Sequence, residues 1–152
     1  MEWDNDHLHE FEIRGARFGA EAATGGVPWP GPVIDECKVR LIQLALTPGL
    51  VFTYTYDFGD TWVHDIEVEQ VLQREAGVQY PLCLDGARSG PPEDSGGVGG
   101  YEWKLEVLAD PEHEDYAWVH EWMGDWDPER FDVNEINERL RRAFPERSSR
   151  RP

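Results

Sequence analysis

Residues 51–68 read VFTYTYDFGDTWVHDIEV, and the layout of this stretch decides the fold. In its first half Phe52, Tyr54 and Tyr56 alternate with smaller residues. In its second half Trp62, His64, Ile66 and Val68 fall on one side, with Asp65, Glu67 and Glu69 on the other. Alternation with period two marks a strand that buries one face. Folding the two halves into an antiparallel hairpin, with both apolar sets on one face, sets Tyr56 opposite Trp62, Tyr54 opposite His64 and Phe52 opposite Ile66. The connecting loop is then Asp57–Thr61, with Gly59 expected to take a positive φ. A loop one residue shorter would send every side chain to the wrong face.

Working outward, HLHEFEI (residues 7–13) also alternates, and Gly15 begins a turn towards Arg17-Phe18, which predicts a second hairpin. Ala20–Pro32 is rich in Gly, Ala and Pro and reads as a loop. Val39–Leu46 reads as a short helix or a buried connector, stopped by Pro48-Gly49. Gln73–Gly100 is a long Gly/Pro-rich loop, a length that usually carries function or hides a short element.

Helical signals follow. Tyr101, Leu105 and Leu108 recur at helical spacing; Asp110-Pro111 predicts a helix opening there and running to Gly124; Asp127-Pro128 predicts a short turn. Asp132 with Glu135 starts a last helix, with Ile136, Leu140 and Phe144 towards the core. Strands first and helices last give an α+β fold, an antiparallel sheet built around the central hairpin (about 51–72) and packed by C-terminal helices. The expected organisation is one domain over 1–144 and a basic disordered tail over 145–152.

Composition narrows the function classes. The chain has 152 residues, 39% hydrophobic, with seven tryptophans and a net charge of −17, which is too apolar for a disordered acidic chain. No apolar run suits a membrane span and the first residues do not form a signal peptide. Cys37 and Cys83 are isolated thiols, which fits a reducing cytoplasm. From Arg139 onward six arginines face one glutamate, a balance of +5 that leaves −22 on the rest. Such a body repels phosphate backbones, so duplex nucleic acid is not an expected partner for it. The arginines suit a solvated helix end, and the other use of that tail is contact with nucleic acid or an acidic partner.

Several motifs bear on chemistry. DFG invites a kinase reading, but no glycine-rich loop with its lysine and no HRD motif accompany it. Asp57, Asp60 and His64 together with Glu93 and Asp94 of PPEDSGG could hold a divalent ion or act as acid and base, provided both segments meet at one cleft. Against this, Asp57 and Asp60 suit turn chemistry, His64 falls on the apolar face, and Glu93-Asp94 suit the first turn of a short helix after Pro91-Pro92. His7 and His9 form an HxH pair, a spacing metal sites use, although Phe11 and Ile13 continue the same face into the core. GGVGGY (residues 96–101) could cradle an anion with help from Arg88. Trp62, Trp103, Trp118, Trp122 and Trp126 exceed what a core of this size needs, and some are candidates for a partner-binding face. No cofactor is expected, and a divalent metal at the carboxylates is the one these residues leave open.

The ordered set HLHEF, YDFGDTWVHDIEVE, YPLCLDGARSGPPEDSGG, GYEWKLEVLADPEHE and WMGDWDPERFDVNEIN resembles the plasmid pRi-type ORF-3-like family, whose members are also labelled passenger proteins of insertion elements. The resemblance runs from about Trp3 to Leu140. It implies a single α+β domain and no established activity. A resolvase activity, attached to some relatives, would need a nucleophilic serine in an arginine-rich site, which this sequence lacks. Relatives carry a further N-terminal strand and helix, so this chain looks N-terminally shortened. They also often carry cysteines flanking PPED, where this chain has Gly90 and Ser95. Asp57, Asp60, Trp62, His64, Arg88, Glu93, Asp94 and Tyr101 match the family motif as a shared structural or pocket constellation. The expectation is a small acidic cytoplasmic module of mobile or plasmid DNA that binds a protein partner without catalysis. Metal-assisted hydrolysis is the alternative, and nucleic-acid contact through the tail the third.

Overall fold

The structure is a computed structural model that describes residues 3–20 and 32–145. Most of the Ala20–Pro32 loop and residues 146–152 of the basic tail lie outside the described residues. The fold is α+β, as the order of strands and helices requires. Contacts gather into two compact units, Glu2–Leu72 with Pro92–Gly124 and Gln73–Pro91 with Asp125–Pro152.

The larger unit holds the sheet. Its strands are β1 (His9–Ile13), β2 (Ala16–Gly19), β3 (Val33–Asp35), β4 (Val51–Tyr56) and β5 (Trp62–Glu67), in the spatial order β3-β2-β1-β4-β5. The β4–β5 register sets Tyr56 opposite Trp62, Tyr54 opposite His64 and Phe52 opposite Ile66, as the alternation predicts. The loop is Asp57–Thr61, but positive φ falls on Asp57 (54°) and Thr61 (58°), not on Gly59. The reason is local: Asp57 Oδ1 accepts from the Gly59 N–H at 2.9 Å, so the aspartate itself shapes the turn.

The predicted first hairpin forms too, turning through Arg14 and Gly15, both at positive φ. Strand β3 was not anticipated, and it pairs with β2 in parallel, which makes the sheet mixed. Ile13, Phe18 and Phe52 form the core of the sheet, with Phe11, Leu44, Leu46, Leu50 and Ile66 packed against them. Burying Ile13, Phe18 and Phe52 contributes about 1.5–3 kcal/mol each. The Val39–Leu46 stretch is neither a regular α-helix nor fully buried. It carries a 3-10 turn at Leu41–Leu44, and Ile42 is 87% exposed. The central hairpin is shorter than expected, since β5 stops at Glu67 and Val71 and Leu72 are exposed.

Two helices belong to this unit, α1 (Gly97–Ala109) and α2 (Tyr116–Met123). The helix expected to open at Asp110-Pro111 begins at Tyr116 instead. Asp110 closes α1, its N–H donating to the Val107 carbonyl at 3.1 Å, and its carboxylate accepts from Glu112 N–H at 3.1 Å, which holds residues 111–115 as turns. Val107 and Val119 are fully enclosed, one from each helix.

The smaller unit contains α3 (Val133–Ala143), capped as predicted by Asp132, which accepts from Asn134 N–H and Glu135 N–H at 2.8 and 3.1 Å. Phe144 does not reach a core and is 54% exposed. The long loop is tied down by side-chain to backbone bonds instead of a ladder. Asn137 exchanges two 2.8 Å bonds with the Cys83 backbone, and Gln79 caps the last turn of α3 at the Phe144 carbonyl, 2.9 Å away. Asp127-Pro128 forms the expected turn, with Glu129 N–H donating to Asp127 Oδ1 at 2.9 Å.

Candidate functional site

The DFGD turn and the PPED segment meet, and His7 stands between them. Residues 3–8 approach β4, where Trp3 stacks on Tyr56 with ring centroids 4.6 Å apart and Leu8 accepts from the Asp57 N–H at 2.9 Å. This path brings the His7 ring edge-on to Tyr56. From there His7 Nδ1 is 3.7 Å from Asp57 Oδ1, while Nε2 is 3.5 Å from Asp94 Oδ1 and 4.0 Å from Glu93 Oε2. One ligand atom each from His7, Asp57 and Asp94 can be chosen so that all lie within 4.8 Å of one another. A cation bound at about 2.0–2.6 Å from such donors separates them by roughly 3–5 Å.

Burial differs sharply among the carboxylates. Asp57 is only 6% exposed, whereas Asp94 reaches solvent. Glu93 is fixed from one side: its Oε1 accepts from Tyr56 Oη–H at 2.7 Å and from Asp4 N–H at 3.0 Å, leaving Oε2 towards His7. Glu93 and Asp94 lie in a turn, not in the first turn of a helix, and Asp94 takes φ 55°.

Asp60 has a supporting part. Its Oδ2 accepts from the Gly96 N–H at 2.8 Å, which ties the hairpin turn to the start of α1. The GGVGG amides were a candidate anion cradle, and the first of them, Gly96 N–H, receives this carboxylate of the chain itself. The glycines answer to close approach. A Cβ on Gly97, whose φ is +66°, would run into the Asp60 carbonyl oxygen, and one on Gly100 would sit 2.5 Å from the Ser95 oxygen. Ser95 is wholly buried, its Oγ donating to the Pro92 carbonyl. Its own carbonyl accepts from Lys104 Nζ at 2.9 Å, and that buried ammonium lies 4.7 Å from the centroid of the Trp122 ring.

The residues singled out from sequence therefore separate. Asp57, Glu93 and Asp94 converge, with His7 as their nitrogen neighbour. Trp62 is buried and meets Tyr101 edge-on at 6.3 Å, so both build the wall behind the turn. His64 Nδ1 lies 3.1 Å from the Tyr54 carbonyl oxygen, facing the sheet as the register implies. His9 does not join His7; its Nε2 pairs with Glu36 Oε1 at 2.9 Å. Arg88 belongs to the smaller unit, where it pairs with Glu129 at 3.3 Å. Lys104 and Tyr56 were missed. A lone lysine in an acidic helix reads as a solvated one, and Tyr56 was assigned only to the sheet.

Tyr56 supplies a pH test. Burial first, and then the bond to Glu93, push its hydroxyl from the ordinary value of 10.0 up to about 12. The folded value lies above the unfolded one, so this contribution is complete below pH 10 and is lost as pH rises towards 12. Urea midpoints should fall across that window, and Tyr56→Phe should flatten the fall while losing about 1.5–3 kcal/mol at neutral pH. An unchanged alkaline profile in the variant would assign the fall to other groups.

The sequence profile described as "Plasmid pRiA4b ORF-3-like protein" matches residues 1–135. The chain belongs to that family. This ORF-3-like chain is 39% identical over 140 residues to "Uncharacterized protein y4hQ" of Sinorhizobium fredii, covering 90% of this chain and 70% of the relative. It is also similar to the crystal structure of a protein of unknown function, MM3350 from Methanosarcina mazei Go1. The TM-score is 0.77 at 43% identity, over 89% of this chain and 75% of that one. The sequence resemblance to the ORF-3-like family is thus correct, and the family brings a fold without an assigned reaction. No helix among the described residues is long and apolar enough to cross a membrane.

Proposed function

We propose that the larger unit holds one divalent cation between His7, Asp57 and Asp94, with Glu93 beside it, and that this centre serves metal-assisted hydrolysis. The observation that carries the reading is the closeness of the three donors, drawn from an N-terminal segment, a hairpin turn and a loop far apart in sequence. One imidazole nitrogen with carboxylate oxygens suits Zn²⁺ or Mn²⁺ better than a site of oxygens alone. A cation held there would lower the pKa of a bound water and polarise a scissile carbonyl or phosphoryl group. The acidic body would raise the local cation concentration.

Thermal melting against Mg²⁺, Mn²⁺, Zn²⁺ and Ca²⁺, with and without chelator, tests this directly. Binding to the native state at a hundred times Kd stabilises by about 2.7 kcal/mol. The midpoint should rise by several degrees with the preferred ion and should not rise in Asp57→Asn or Asp94→Asn. A flat profile for all four ions would end the metal reading.

A second reading has its own observation. Trp103, Trp118 and Trp122 are all exposed on α1 and α2, and the first two rings lie 6.2 Å apart. Clustered exposed tryptophan is the composition of a protein-binding surface, which supports a non-enzymatic accessory role. Free Cys37, exposed at the surface, suits a reducing compartment such as the cytoplasm for either role.

A further inference from the structure

The tryptophan face carries information about what it would bind, and this inference rests on the partner-binding reading just given. We infer that the α1–α2 face docks an arginine-rich segment of another protein. Over residues 97–124 the chain has seven carboxylates, Glu102, Glu106, Asp110, Glu112, Glu114, Asp115 and Glu121, against Lys104 as the single lysine or arginine. Lys104 is buried and already engaged with the Ser95 carbonyl, so its charge is not presented outward. Trp118 and Trp122 are four residues apart on α2 and share one side of it, with Glu121 three residues beyond Trp118. On α1, Glu106 stands three residues beyond Trp103 in the same way.

Indole rings interleaved with carboxylates select one ligand chemistry. A plain apolar helix would leave the acids desolvated without partners, and an acidic segment would be repelled. A guanidinium stacks flat on an indole and meets a carboxylate with two parallel bonds at once, which an ammonium cannot do. The molecule gives an internal precedent for cation on indole: Lys104 Nζ lies 4.7 Å from the Trp122 ring centroid and 5.9 Å from that of Trp103.

Fluorescence anisotropy with three labelled peptides, alternating arginine-glycine, alternating lysine-glycine and a neutral apolar one, decides the matter on the full chain. The arginine peptide should bind with an affinity that falls as salt rises, and the lysine peptide several-fold more weakly. Trp118→Ala, a truncation at a position 54% exposed, should weaken the arginine peptide about tenfold. Glu121→Gln should weaken it as well, with circular dichroism unchanged in both variants. Equal binding of the two basic peptides, untouched by Trp118→Ala, would mean diffuse charge attraction and overturn the inference. A neutral apolar peptide that binds at the same tryptophan while the arginine peptide does not would keep the docking face and overturn its assigned ligand. Failure of all three peptides would overturn both.

Discussion

Gly97→Ala is expected to cost the larger unit about 4 kcal/mol, the sum of two separate penalties. A side chain held at φ +66° costs about 1–3 kcal/mol, and the new methyl would be driven into the Asp60 carbonyl oxygen, with an overpacking cost of about 1–3 kcal/mol more. Relief is possible only by moving α1 away from the turn, which would break the 2.8 Å bond from Gly96 N–H to Asp60. Gly99→Ala is the control, since a Cβ there meets nothing within 4 Å and Gly99 lies in the same helix. That change should stabilise by up to about 1 kcal/mol. Urea denaturation of the two variants reads the contrast. Similar midpoints for both would mean that the glycine-rich start of α1 yields easily and does not fix the turn.

Lys104→Ala should cost about 3 kcal/mol. The Ser95 carbonyl, on a fully enclosed residue, would lose its donor, and the space beside Trp122 would lose its filling. Lys104→Met retains most of the stem and removes only the ammonium, so its cost of about 1–3 kcal/mol isolates the lost donor. The Lys104 bond also reaches the loop that carries Glu93 and Asp94. Loss of that anchor should therefore reduce any metal-induced rise in the melting midpoint, although Lys104 touches none of the proposed donors. A Met variant as stable as the parent would show that the ammonium contributes no net free energy.

Parts of this structure were legible in the sequence because local rules settle them. Period-two alternation and loop length together leave one register for β4 and β5, and the structure has it. Asp132 caps α3 because an aspartate before a helix has few other uses for its oxygen. Asp110-Pro111 misled for a related reason. An aspartate followed by proline serves a turn as well as a cap, and the choice depended on where α1 ended. Strand β3 is three residues long and paired in parallel, too short for any periodicity to register.

The candidate site was half legible. Asp57, Glu93 and Asp94 stood out as carboxylates in Gly/Pro-rich turns. Their common neighbour His7 lies 50 residues before Asp57, and tertiary contacts draw that segment across: the pairing of β1 with β4, the Asp57 N–H bond to the Leu8 carbonyl and the stacking of Trp3 on Tyr56. His9 has the same side-chain chemistry two residues on and meets Glu36 instead. Residue type pointed to the chemistry, and tertiary path decided which histidine would deliver it.

Both Asp57 and Asp94 occupy left-handed backbone positions, at φ 54° and 55°. Such a position accepts glycine, asparagine and aspartate, and penalises nearly everything else. Asparagine would make the same turn without placing an anion beside other anions, in a chain already at −17. Backbone geometry thus explains why these two places hold a short polar residue, but not why that residue is charged. A sequence drifting under the demands of the turn alone would exchange the two letters freely. Persistent aspartate at both places in an alignment of relatives would therefore be a record of selection for the charge itself, and free exchange with asparagine would mark the turns as architecture only.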